Sequence, residues 1–166
     1  MSTRPTTPKT ARATTRQGTA IKTGRAAKAP GEIVGIQAGT TALTGRFIVS
    51  AGTNPFVSDT RVSAGGPGEA VQAGQLLLAS LASCGLGLIQ GRAAELGLPL
   101  GNAVVEAAFQ RHATDKTRYA WIRLAFRLEG VTASQARKLL AHFTGHCPIY
   151  NTLRRGGTVQ ASAEPA

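Results

Sequence analysis

Residues 70–97 read AVQAGQLLLASLASCGLGLIQGRAAELG, and none of the 22 positions between Glu69 and Arg92 carries a charge. High helix propensity runs on to Gly97 and Pro99, a usual stop signal, so the stretch predicts one long central helix. About 20 apolar residues suffice to cross a bilayer, so a membrane span has to be weighed. Gln72, Gln75, Ser80, Ser83 and Gln90 interrupt the run, and the half-polar strand patterns on either side would have no partner in a one-span protein. The stretch therefore reads as a buried core helix with no membrane partner. Along it Leu77, Leu81, Cys84 and Leu88 fall at i, i+4, i+7 and i+11, which turns Cys84 the same way as a leucine stripe. A second stripe of Ser80, Ser83, Gly87 and Gly91 has almost no bulk and would let another helix or a subunit approach closely.

Upstream of the helix, EIVGIQA (32–38), RFIVSAG (46–52) and FVSDTRV (56–62) are short strand-like runs. GTTALTG and GTNP between them supply turn chemistry, which predicts a small antiparallel meander. Downstream, GNAVVEAAFQRHA and TRYAWIRLAFRLEG flank a turn at Thr114 to Thr117, a two-stranded hairpin in which Tyr119, Trp121 and Arg123 alternate with Ala120, Ile122 and Leu124. In VTASQARKLLAHFTGHCP, Thr132 or Ser134 is the N-cap and Ala136, Leu139, Leu140 and Phe143 form an apolar stripe. Gly145 and Pro148 break this second helix and leave Cys147 at its end, while GGTVQASA (156–163) is a candidate edge strand. The elements add up to an α+β domain over residues 32–163, with no internal repeat.

Charge is distributed unevenly. Residues 1–31 hold Arg4, Lys9, Arg12, Arg16, Lys22, Arg25 and Lys28 and no acid, whereas the rest of the chain balances twelve bases against eight acids. Most of the formal +11 thus belongs to a tail too poor in apolar residues to fold, and we read it as disordered. No aromatic residue is interleaved there to stack bases, so nucleic acid is not an expected partner. The tail has no apolar core of a secretory signal. Its Arg and Thr content without acids has the character of a transit peptide but without a bulky apolar face, so the location expected is cytoplasmic, with an organellar address as the alternative.

The two cysteines, 63 positions apart, cannot form the dense disulfide framework of a small secreted module, and structural, catalytic and metal roles all stay open. His142 and His146, at i and i+4 beside Cys147, have the spacing of zinc ligands. Gly145 is expected to end the helix before His146, however, which reduces them to a surface pair, and no metal or cofactor is predicted. GLGLIQG (85–91) lies inside a helix and follows no strand, so it is no dinucleotide loop.

QLLLASLASCGL, then RAAELGLPL and, after a hairpin and a helix, HCPIYNTL together resemble the OsmC/Ohr family of peroxide-reducing proteins, over roughly residues 32 to 160. The resemblance implies an OsmC-like fold in an intertwined homodimer, an organic hydroperoxide as substrate and a dithiol as reductant. It also implies that Cys84 is the peroxidatic cysteine and Cys147, before Pro148, the resolving one. An arginine from the N-terminal strands, Arg46 or Arg61, would lower the pKa of Cys84. Ohr-type members hold that arginine with a glutamate ten residues before the cysteine, where this chain has Gly74. Either Glu69, five residues earlier, supplies the carboxylate, or the arginine has none and the chain is an OsmC-like protein with a binding or structural role instead of peroxidase activity.

Overall fold

Gly52 adopts φ 61°, the positive value that a two-residue hairpin turn demands of its first central residue. That turn joins two of the three strands that open the fold. The computed structural model describes residues 31–163, so the predicted tail lies outside the described residues except for Gly31. Strands β1 (Gln37–Thr40), β2 (Arg46–Ala51) and β3 (Asn54–Asp59) form an antiparallel sheet in the order β1-β2-β3, the predicted meander. The first run enters the sheet only at Gln37, and β1 is an exposed edge. Ser58 bridges to Val71 just before the central helix, and the Asp59 N–H donates to the Val71 carbonyl.

Helix α1 covers Ala73–Glu95. It starts with a capping box in which the Gln72 and Gln75 side chains each accept from the other's end of the first turn, satisfying two otherwise unpaired amides. Although long and apolar enough to cross a bilayer, α1 packs on the hairpin and the second helix along one line of buried residues, Leu81, Gly85, Ile89 and Ala93. The rest of its apolar surface is only part-covered by this single chain, and a Cβ at Gly87 or Gly91 would meet nothing within 4 Å.

Strands β4 (Ala103–Arg111) and β5 (Tyr119–Leu128) form the second, two-stranded antiparallel sheet. Leu124, Phe126 and Leu128 of β5 face the helices. The pairing slips between Gln110 and Arg111, so that Arg111 opposes Tyr119 and Ala120 is passed over. This bulge corrects the predicted alternation, because it re-aims Tyr119 away from the face of Trp121 and Arg123 and stacks it on Phe109, with ring centroids 4.1 Å apart.

Helix α2 (Ala133–His146) is capped by Thr132, whose hydroxyl accepts from the Gln135 amide. Two expectations fail here. Gly145 does not end the helix, since its last residue is His146, and Pro148 starts a third helix, α3 (Pro148–Arg155), instead of terminating structure. Proline is well suited to that first helical turn because its missing N–H would have had no intrahelical partner. Residues 157–163 form no strand, so the predicted terminal edge strand is also corrected. The core comprises Ile89 and Ala93 of α1, Leu139 and Phe143 of α2, and Cys147. Phe143 lies between Phe126 and Tyr150, with ring centroids 5.3 Å from each.

Candidate active site

Cys147 is the hinge between α2 and α3. Its amide donates to the Phe143 carbonyl to close α2, while its Sγ accepts from the Tyr150 amide, 3.4 Å away, as the N-cap of α3. Asn151 holds the corner by donating from one side-chain amide to the carbonyls of Thr144 (3.1 Å) and Cys147 (2.9 Å). These bonds point Cys147 into the core, where it is fully buried.

Cys84, near the middle of α1, is half-buried, and its Sγ lies 2.8 Å from the Cys147 Sγ. Both are free thiols. A disulfide needs sulfurs about 2.05 Å apart, so less than an ångström of approach separates the pair from a bond. The two predicted redox residues are thus brought together, one half-buried and one fully buried. Burial, and then the neighbouring Cys147, push the Cys84 thiol up to about 11. No arginine contributes to that shift, so the fold of one chain leaves the thiol protonated at neutral pH.

The predicted arginines lie elsewhere in the chain and behave differently. Arg46 of β2 donates from Nε to Asp59 Oδ1 (2.9 Å) and from Nη2 to Asp59 Oδ2 (2.8 Å) and Glu69 Oε2 (2.7 Å). Glu69 therefore does supply a carboxylate, but Asp59 supplies a second one that sequence reasoning missed. The Asp59 side chain is wholly buried and also accepts from the Glu69 and Ala70 amides. Arg46 and these amides hold its carboxyl well below the usual range against the opposing effect of burial. A signal for this pair existed: a two-residue turn at Gly52–Thr53 fixes the β2–β3 register, and counting outward from it places Arg46 opposite Asp59. Arg61 follows β3, is exposed, and forms no ion pair among the described residues.

At Gly74, a Cβ would come 2.8 Å from Phe109 Cε1 and 3.0 Å from the Tyr119 hydroxyl. The Phe109–Tyr119 stack fills the space that a side chain at this position would enter. The histidines do not assemble a metal centre: their rings stack at 4.1 Å, His146 Nδ1 is 2.8 Å from the His142 carbonyl, and Cys147 is directed inward to Cys84. An apolar pocket of about 320 Å³ is lined by Leu81, Ile122, Leu124, Tyr150, Leu153 and Arg154. Two of its residues, Leu124 and Tyr150, also pack against the buried core cluster that includes Cys147.

Solved structures with this fold include an OsmC-like protein from Mycoplasma pneumoniae (TM-score 0.62, 16% identity, 74% of this chain and 88% of that one). An organic hydroperoxide resistance protein OsmC from Legionella pneumophila has a TM-score of 0.60 at 21% identity, over 74% of this chain and 90% of that one. A putative organic hydroperoxide resistance protein from Vibrio cholerae, with captopril bound in one of its active sites, has a TM-score of 0.56 at 22% identity, over 75% and 87%. No curated protein sequence matches. The family model for OsmC-like protein matches residues 66–162, from the loop before α1 to the segment after α3. With more than half of its length in that match and with this fold, the chain belongs to the OsmC-like protein family.

Proposed function

We propose that the protein is a thiol peroxidase that reduces organic hydroperoxides through Cys84 and Cys147. The observation that carries this reading is the 2.8 Å contact between a half-buried sulfur and a fully buried one. The Cys84 thiolate attacks the distal oxygen of the hydroperoxide, the O–O bond breaks, and the alcohol leaves with a proton, so that Cys84 becomes a sulfenic acid. The Cys147 thiol then attacks the Cys84 sulfur, water leaves, and a disulfide forms before a second peroxide can overoxidise the site. A dithiol reductant returns both cysteines to thiols by exchange. The apolar pocket shared with Leu124 and Tyr150 suits the organic part of such a substrate. Relatives of the same fold carry the name organic hydroperoxide resistance protein.

A thiol pushed up to about 11 needs a cation to react at neutral pH. Of the two candidates Arg46 is the one held by carboxylates, Glu69 and Asp59, as the family resemblance implies for the activating arginine, so we assign the role to Arg46, brought by a second copy of the chain in a homodimer. The part-covered α1 and its small-residue stripe support such a dimer. We take the protein to work in the cytoplasm.

Cumene hydroperoxide tests the chemistry. One equivalent should convert two thiols to one disulfide, Cys147→Ser should stop at sulfenic acid and overoxidise in excess, and Cys84→Ser should consume no peroxide. Survival of both thiols beside an Ohr-type control that reacts would favour the second reading, an OsmC-like binding or structural protein, which the raised Cys84 pKa supports.

A further inference from the structure

Between the three-stranded sheet, the first turn of α1 and the β4–β5 hairpin lies a cavity of about 260 Å³. Its charged lining consists of Arg61, Arg111 and Asp59. Asp59 is spent: both its oxygens are taken by Arg46, Glu69 N–H and Ala70 N–H. Arg61 and Arg111 have no ion pair among the described residues, so the cavity holds two uncompensated positive charges and no free carboxylate. Tyr119, with its hydroxyl, also lines the cavity.

One wall is aromatic. Phe109 and Tyr119 are stacked, and Arg111 Cζ lies 5.6 and 5.7 Å from their ring centroids, so the guanidinium sits at the border between the charged and the apolar part. The bulge at Gln110/Arg111 is what brings Tyr119 and Arg111 to this face. A volume just below the roughly 300–1,000 Å³ of drug-sized sites sets the scale of an occupant at one aromatic ring with its acid group.

We propose that this cavity binds a small aromatic carboxylate, with the acid group held by Arg61 and Arg111 and the ring against Phe109 and Tyr119. Guanidinium forks match a carboxylate in plane, and the ring stack favours an apolar body over a bare hydrated anion. The inference goes beyond the peroxidase reading and does not depend on it.

The test titrates benzoate, its neutral isostere benzamide and inorganic phosphate into the full-length Cys84→Ser protein, followed by amide chemical shifts and calorimetry. This variant can reduce no peroxide by the proposed route, so binding and peroxidase activity succeed or fail separately. Benzoate should saturate and move the amides of Arg61, Gly74, Arg111 and Tyr119. Benzamide and phosphate should bind at least fivefold more weakly. Arg61→Met and Arg111→Met, both at exposed positions, should each weaken benzoate by about fivefold or more, the scale of one lost charge-assisted contact. Absence of saturation, equal binding of benzamide or phosphate, shifts centred elsewhere, or arginine variants within fivefold of the parent would each overturn the proposal. The comparison of benzoate with benzamide stands even if a variant fails to fold.

Discussion

Cys147 caps α3 with the same Sγ that lies 2.8 Å from Cys84, so one sulfur serves a helix start and faces a thiol partner at once. Because Cys147 is fully buried and Cys84 is not, iodoacetamide should label Cys84 first in the reduced native protein. Cys147 should become reactive only on unfolding. Mass spectrometry of partly labelled protein would refute the role assignment if Cys147 reacted first.

The pH dependence of that thiol reports on the missing cation. One chain alone holds Cys84 at about 11, above the ordinary cysteine value, so deprotonation is disfavoured and reaction at neutral pH is slow. If Arg46 from a second copy activates it, thiolate absorbance should titrate below about 8.5. Arg46→Ala should return the transition toward the single-chain value and slow peroxide oxidation about tenfold or more at pH 7, with recovery at higher pH. Arg61→Ala should leave the thiol transition unchanged.

For Asp59 the expected phenotype is structural. The Asp59 carboxyl titrates below its unfolded value, so its contribution to stability is complete above about pH 4 and is lost as the pH falls through the folded value. Asp59→Asn should lower the melting temperature at pH 7, and the difference from wild type should shrink in acid. An unchanged melting temperature at pH 7 would mean that the buried pair is not needed to hold the sheet to the loop before α1.

Two glycines of α1 should respond in opposite ways. At Gly85 a Cβ would come 2.7 Å from Phe126 Cζ and 3.3 Å from Phe143 Cε2, so Gly85→Ala should overpack the core and cost about 1–3 kcal/mol in denaturant unfolding. Gly87 has open space around it within one chain. Gly87→Leu should therefore leave the fold intact but, if a second copy packs on the small-residue stripe, reduce the light-scattering mass to that of the 17.1 kDa chain.

Asn151→Ala removes the two side-chain bonds that Asn151 makes across the α2–α3 corner. We expect a loss of roughly 1–3 kcal/mol and slower disulfide formation after peroxide, because Cys147 would no longer be held toward Cys84. Normal disulfide kinetics in a destabilised variant would show that the corner matters for folding alone.

Much of this protein follows from local pattern. Turn residues at 39–45 and 52–55 delimited the meander, the charge-free run marked α1, and the Thr132 cap with its apolar stripe marked α2, because each of these signals acts within a few residues. The expectations that failed turned on long-range packing or on a choice between two local meanings. Pro148 starts a helix as well as it ends one, and only the Cys147 corner, pinned by Asn151, decides which. Burial of Cys147 against Cys84 across 63 residues, the bulge that turns Tyr119 toward Gly74, and the contest in which Asp59 joins Glu69 for Arg46 all arise where separate elements meet. The sequence by itself determined which residues could do thiol chemistry and in what order along the chain. Tertiary structure decided which sulfur is the less buried and which arginine the carboxylates hold, because burial and charge pairing depend on neighbours that no local spacing specifies.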